Sequence, residues 1–317
     1  MTKTPTVLFA GKPANRETYR RELARAAEEA GQPIHIFVDP TEVDRAEVDY
    51  LVFNAKGPLK EFAGFTRLKA MLSLWAGVDE ILKLPLPDDV PLLRMVEDGL
   101  TLGMLDYVTG HVLRHHLGID QHIGTGADMP WSAVFPPLAR ERRVTVLGLG
   151  ELGAACAERL ALNGFAVRGW ARSPKDVPGV TAFAGPEGLG PALDGAEIVV
   201  LLLPDTPATN HILDAAAIAR LAPGAFVVNP GRGPLIDDDA LLAALDAGRL
   251  AHATLDVFDV EPLPADHPFW SHPKVTVTPH IASATRPATA AEAILRQILR
   301  GERGEPFLHV VRRTLGY

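Results

Sequence analysis

Val144-Thr145-Val146-Leu147-Gly148-Leu149-Gly150-Glu151-Leu152-Gly153 is a β-branched run that passes through three glycines into the helical stretch 154–162. A strand before and a helix after give this G-x-G-x-x-G spacing a structural context that a bare pattern match lacks. Gly148 permits a tight turn, Gly150 lets the backbone approach a pyrophosphate, and Gly153 lets helix pack closely on strand. The helix N-terminus beyond them supplies amides and a partial positive charge. A glycine turn with no ligand is the bland alternative, and a dinucleotide-binding turn is the expectation.

Working outward, strands are expected at 144–148, 166–170, 198–203, 226–229, 253–257 and 275–278, with helices between them, one over 237–247. Six strands with crossover helices is the count of a complete dinucleotide-binding sheet. Upstream, short apolar runs at 7–10, 34–38, 51–53, 68–74 and 92–96, with a helix over 17–30, read as a separate parallel α/β unit. A helix over 103–117 and a loop rich in Gly, Pro and Trp through 137 join the two series. The last helix, 287–299, has no further strand to serve and is expected to return to the first unit. The fold class is therefore α/β with two doubly wound parallel-sheet domains. A Rossmann cofactor domain, 103–284, is inserted into a flavodoxin-like substrate domain made of 1–102 and 285–317. A length of 317 residues suits two such domains.

Charge narrows the partners. The chain has 31 Lys and Arg against 39 Asp and Glu, interspersed, for a formal net charge of −8. No basic stripe is available to neutralise a phosphate backbone, so no nucleic acid is expected. No apolar run approaches the roughly 20 residues of a membrane helix, and the first residues enter a strand pattern rather than a signal-peptide core. The single cysteine, Cys156, cannot form an internal disulfide and falls on the apolar face of a helix. A cytoplasmic location is expected.

The end of the second strand bears on cofactor choice. An NAD-selective site places Asp or Glu about 20 residues beyond the glycines, on the ribose 2′-hydroxyl. Here the chain reads Trp170-Ala171-Arg172-Ser173-Pro174-Lys175. Arg172 can clamp a 2′-phosphate and stack on adenine, Ser173 can donate to a phosphate oxygen, and Lys175 can add charge from the rim. NADPH is favoured and NADH less so, unless these are simply solvated turn residues.

Three further residues close apolar runs. Arg232 lies in Asn229-Pro230-Gly231-Arg232-Gly233, Glu261 ends Leu255-Asp256-Val257-Phe258-Asp259-Val260-Glu261, and His280 ends Val275-Thr276-Val277-Thr278-Pro279-His280. A cation, a carboxylate and an imidazole at the carboxyl ends of parallel strands face the crevice where such sheets bind ligands. This set suits hydride transfer to a 2-keto acid. His280 would donate the proton, Glu261 would hold its ring, and Arg232 would bind the carboxylate and polarise the carbonyl. Asp256 could accept from a nicotinamide carboxamide. Singly, each has a bland reading: His280 as a strand cap, Glu261 as a surface residue before Pro262, Arg232 paired with Asp237 or Asp238.

On these stretches, together with Ser73-Leu74-Trp75-Ala76-Gly77-Val78-Asp79, Met104-Leu105-Asp106-Tyr107-Val108-Thr109 and Leu203-Pro204-Asp205-Thr206-Pro207-Ala208-Thr209, the chain resembles the D-isomer-specific 2-hydroxyacid dehydrogenases. Within them it is similar to the glyoxylate/hydroxypyruvate reductase A branch. The resemblance runs over nearly the whole chain. It implies NADPH-dependent reduction of glyoxylate or hydroxypyruvate to D-2-hydroxy acids with Arg232, Glu261 and His280 as the catalytic set. It further implies cofactor contacts at Leu152, Gly153, Arg172, Ser173, Pro204, Thr209, Pro230 and Asp256, and a substrate carboxylate on the amides of Ala76 and Gly77. A homodimer through the cofactor domains is also implied, which would occupy the apolar face of the 103–117 helix. Trp75 stands where relatives are often small and is expected to narrow the pocket toward two- and three-carbon acids. Pro230 replaces a common small residue and is expected to stiffen the Arg232 loop.

His111 and His115 are spaced i, i+4, as zinc ligands can be, but lack the intervening Glu of a hydrolytic motif. Surface or interface histidines are expected, and no metal. Two other functions stay open at this stage: a nucleotide-sensing interaction protein of the same fold without turnover, and an NAD-dependent dehydrogenase.

Overall fold

The structure is a computed structural model that describes residues 4–123 and 135–316. Two compact units emerge, Met1–Leu100 with Ala284–Tyr317, and Thr101–Ser283. The first holds a five-stranded parallel sheet of β1 (Thr6–Ala10), β2 (His35–Phe37), β3 (Tyr50–Phe53), β4 (Ala70–Ser73) and β5 (Leu92–Leu93). Its order, β2-β1-β3-β4-β5, is the flavodoxin-like order. Side chains alternate strictly across it, as the period of two requires. Val7, Phe9, Tyr50, Val52 and Leu72 face one core, and Leu8, Ala10, Leu51, Phe53 and Met71 face the other.

Helix α1 (Arg16–Glu29) and the last helix, α7 (Pro287–Glu302), cover the first of those faces. Ile294, Leu295 and Ile298 of α7 are buried there, and each such side chain contributes about 1.5–3 kcal/mol when removed from water. The opposite face is covered by irregular chain carrying Leu59, Phe62, Phe65, Val78 and Ile81. The first sheet is thus covered on both faces, by α1 and α7 on one and by irregular chain on the other.

In the second unit the strands are β6 (Arg143–Leu147), β7 (Ala166–Ala171), β8 (Val180–Ala184), β9 (Ile198–Leu201), β10 (Ala225–Asn229), β11 (Leu250–Leu255) and β12 (Val275–Val277). The order β8-β7-β6-β9-β10-β11-β12 is the 3-2-1-4-5-6 Rossmann pattern with one further strand, all parallel. Between the strands run α3 (Glu151–Leu162), α4 (Gly185–Leu193), α5 (Ala215–Arg220) and α6 (Asp238–Asp246). The topological switch lies between β6 and β9, at the glycine turn. Six strands were expected; β8 is the seventh. It is an edge strand with two exposed and three half-buried residues, so the continuous apolar run of an inner strand is missing.

Helix α2 (Asp98–Leu117) begins five residues before the expected Gly103. The Glu97 carboxylate accepts from the amides of Gly99 at 2.6 Å and Leu100 at 2.7 Å, and this N-terminal cap offsets the low helix propensity of Gly99 and Gly103. Its apolar face, assigned from sequence to a dimer contact, packs inside its own unit: Met104, Leu105, Val108 and Val112 join the core of Val144, Val146 and Leu160.

His115 is a second correction. It is 3% exposed, stacks on Phe226 at 4.7 Å and bonds to Thr254 Oγ1 at 3.0 Å, so it is an interior residue and not a surface one. Among the described residues no group of His, Cys, Asp or Glu could hold a metal. Burial pushes the His115 ring down to about 3 and that of His252, 5.5 Å away, down to about 4. Both are neutral in the fold and bind protons when unfolded, so their contribution is full above about 6.5 and is lost as pH falls toward 4. Asp238, pushed up to about 6 by burial, works in the opposite sense. We expect the wild-type Tm to drop between pH 7 and pH 4.5 and H252Q to drop less; equal slopes for the two proteins would contradict this.

Candidate active site

The glycine turn has the steric form a dinucleotide requires. Gly148 has φ +105°, and a Cβ there would stand 2.5 Å from the Leu202 carbonyl oxygen. A Cβ on Gly153 would fall 1.7 Å from the Gly148 carbonyl oxygen, so only glycine lets α3 start this close to β6. Gly150, the N-cap of α3, is exposed, and an added Cβ would meet nothing within 4 Å. The space beside the helix terminus is open, and Gly150 has no side chain to cap the first amides. Those residues fit a pyrophosphate. Leu152, half-buried, follows in the first turn of the helix.

At the end of β7, buried Ala171 occupies the position where an acid would sit, and Arg172, Ser173 and Lys175 follow, all exposed. Ala171 thus replaces the carboxylate that would repel a 2′-phosphate from the end of this strand. The 204–209 loop beyond β9 is organised by Thr209. Its hydroxyl donates to the Pro204 carbonyl at 2.7 Å and accepts from the Thr206 amide at 3.0 Å. Thr209 is itself buried, so its evident work is to shape the loop that presents Pro204.

The loop after β10 carries Arg232. Asn229 closes it: the side-chain oxygen accepts from the Gly231 amide at 3.1 Å and the side-chain nitrogen donates to the Arg232 carbonyl at 2.8 Å. This is an Asx turn, whose sequence signal is Asn two residues before Gly. Pro230 is buried within the loop, and Arg232 Nη1 donates to the Gly231 carbonyl at 2.7 Å. Gly233 touches the next loop directly, since a Cβ there would stand 2.1 Å from the Phe258 carbonyl carbon. The segments bearing Arg232 and Glu261 therefore meet backbone to backbone.

Glu261 and His280 are brought together. Nδ1 of His280 lies 2.7 Å from Glu261 Oε2, and Glu261 Oε1 accepts from the Phe258 amide at 3.1 Å. The imidazole is 52% exposed and the carboxylate 29%. With Nδ1 donating to the carboxylate, Nε2 is the nitrogen left to exchange a proton with a ligand. His280 does not end a strand, because β12 stops at Val277; it sits in a turn with φ +54°, uncommon for a residue with a side chain.

That turn is held by Asp256. Its carbonyl accepts from the His280 amide at 2.8 Å, Oδ1 accepts from the Ile281 amide at 2.9 Å and Thr278 Oγ1 at 2.5 Å, and Oδ2 accepts from the Ala282 amide at 2.8 Å. Asp256 is completely buried. The carboxylate read from sequence as a partner for a carboxamide is first of all the anchor of the His280 turn.

In the first unit, the turn after β4 is closed by Ser73, whose Oγ donates to the Trp75 carbonyl at 2.8 Å and accepts from its amide at 2.9 Å. Among the described residues the amides of Ala76 and Gly77 have no hydrogen-bond acceptor. The Trp75 side chain packs in part against the core containing Leu72, Leu74 and Met95.

A Rossmann sheet with this glycine turn, and a His–Glu pair beside an Arg loop at its carboxyl edge, define a nucleotide-dependent dehydrogenase site. Residues 110–282 match the D-isomer specific 2-hydroxyacid dehydrogenase, NAD binding domain, and the chain belongs to that family. It is 43% identical over 266 residues to glyoxylate/hydroxypyruvate reductase A of Serratia proteamaculans, covering 82% of this chain and 85% of that one. A D-isomer specific 2-hydroxyacid dehydrogenase of Xanthobacter autotrophicus, solved with NADPH and MES, superposes with a TM-score of 0.91 at 41% identity, over 99% of this chain and 100% of the other. The NADPH-dependent glyoxylate/hydroxypyruvate reductase of Sinorhizobium meliloti, solved with NADP and sulfate, gives 0.85 at 33% identity over the same shares. No helix among the described residues is long and apolar enough to cross a membrane.

Proposed function

We propose that the protein is an NADPH-dependent reductase of small 2-keto acids, glyoxylate and hydroxypyruvate foremost, yielding glycolate and D-glycerate. The observation that carries this reading is the 2.7 Å His280–Glu261 pair on an anchored turn at the carboxyl edge of the nucleotide-binding sheet. When bound, the nicotinamide supplies a hydride to the keto carbon. His280, with both ring nitrogens protonated, would deliver the Nε2 hydrogen to the keto oxygen and be left neutral, while Glu261 holds the ring through Nδ1–H so that Nε2 points outward. Arg232 presents a permanent, forked cation to the carboxylate and the polarised carbonyl. The amides of Ala76 and Gly77 receive the carboxylate, and Trp75 restricts the length of the acid. Gly148, Gly150, Leu152 and Gly153 hold the pyrophosphate; Arg172, Ser173 and Lys175 hold the 2′-phosphate; Pro204, Thr209, Pro230 and Asp256 frame the nicotinamide end. The relatives solved with NADPH or NADP support the choice of cofactor. The reading also takes the enzyme to be a cytoplasmic homodimer; Cys156, buried with its thiol pushed up to about 12, suits a reducing compartment.

Arg172→Ala tests the cofactor assignment. Fluorescence titration should show NADPH affinity reduced by about tenfold or more, the loss of a charge-assisted contact worth about 1.5–3 kcal/mol, with NADH affinity nearly unchanged. Equal losses for both nucleotides would overturn the 2′-phosphate contact.

A further inference from the structure

The turn that carries His280 is gripped from two sides. From within, the Asp256 carboxylate accepts the amides of Ile281 and Ala282. From outside, one face of α2 lies against it. A Cβ on Gly103 would stand 2.6 Å from Ser283 Oγ, and Tyr107, one helical turn further on, places its hydroxyl 2.8 Å from Thr278 Oγ1. Thr278 has a single hydroxyl hydrogen and donates it to Asp256 Oδ1 at 2.5 Å. The Tyr107 hydroxyl must therefore be the donor to Thr278, which fixes the direction of the chain as Tyr107 to Thr278 to Asp256. Burial pushes the Tyr107 phenol up to about 12, so it keeps its hydrogen over the working range; Asp256 at the end of β11, and His111 and Arg114 on α2, are the ionisable groups that face it.

A non-glycine residue at φ +54° holds that conformation only when its surroundings over-determine it. The His280 ring is half exposed, so its position is inherited from the backbone of the turn. We propose that Tyr107 and Thr278 are positioning residues for His280: their hydrogen-bond chain fixes the Asp256 carboxylate, which in turn fixes the Ile281 and Ala282 amides that follow the imidazole-bearing residue. This inference rests on the reading that His280 is the proton donor, and neither residue needs to touch substrate.

The test uses Y107F, T278V and T278S in the full chain, with steady-state kinetics, Tm, and the ring-nitrogen resonances of His280, assigned with H280N. Y107F should lower kcat by about tenfold, as small misplacements of a reacting group do, with KM near the wild-type value. T278V, which breaks both bonds, should lose more, and T278S should recover most of the rate. The His280 resonances should shift in Y107F and T278V and return in T278S. If the wild type turns over and these resonances stay in place in Y107F and T278V, the positioning role is overturned, even if Tm falls. If the wild type reduces no keto acid, the proposed function fails, and the His280 resonances still decide the relay: shifted, it stands; unshifted, it falls.

Discussion

His280→Ala is expected to lower kcat for glyoxylate reduction by about 10²-fold or more, the usual contribution of a positioned general acid. Nδ1 is engaged by Glu261 at 2.7 Å, so the ring is oriented and Nε2 is the exchanging nitrogen. Because His280 sits at φ +54°, alanine would also relax the turn, and a loss of rate could then reflect lost backbone geometry. His280→Asn separates the two effects, since asparagine tolerates positive φ but cannot act as an acid near neutral pH. Both variants should show the loss, with NADPH affinity retained. Near-wild-type turnover in H280N would remove His280 from the mechanism.

The second large effect is at Arg232. Lysine preserves charge but not the planar fork, so Arg232→Lys should raise KM and lower kcat together, with kcat/KM down by about 10²-fold, the scale of removing one electrostatic stabiliser of a developing oxyanion. The loop itself should survive the change. Asn229 closes it through bonds to the backbone of Gly231 and Arg232, and Gly233 abuts Phe258, neither of which depends on the guanidinium. A Tm lowered by no more than the loss of the Nη1 bond to the Gly231 carbonyl, together with this kinetic loss, is the expected result, and unchanged kinetics would leave Arg232 a structural residue.

Much of the molecule was legible in the sequence because its signals are local. The glycine turn is flanked by a strand and a helix within twenty residues, and its close contact, Gly153 on Gly148, lies inside the motif. The missing acid at Ala171 is likewise read in place. What was not legible depends on partners far along the chain. Edge strand β8 has no buried face of its own to reveal it. The start of α2 depends on a Glu97 cap acting across two glycines. His115 reads in the sequence as a surface or interface histidine because its partners, Phe226 and Thr254, are more than a hundred residues away and only the fold delivers them. Asp256 was assigned a ligand from its place after a strand, yet its bonds to Thr278, Ile281 and Ala282 come from a loop more than twenty residues further on.

The most direct test of the reductase reading is the initial rate of nucleotide oxidation by the purified protein, with NADPH and NADH each offered glyoxylate, hydroxypyruvate, pyruvate and phenylpyruvate. Rapid oxidation of NADPH with glyoxylate and hydroxypyruvate is predicted, slower with NADH and slowest with phenylpyruvate. Tight nucleotide binding with no oxidation of either nucleotide by any of the four acids would contradict it.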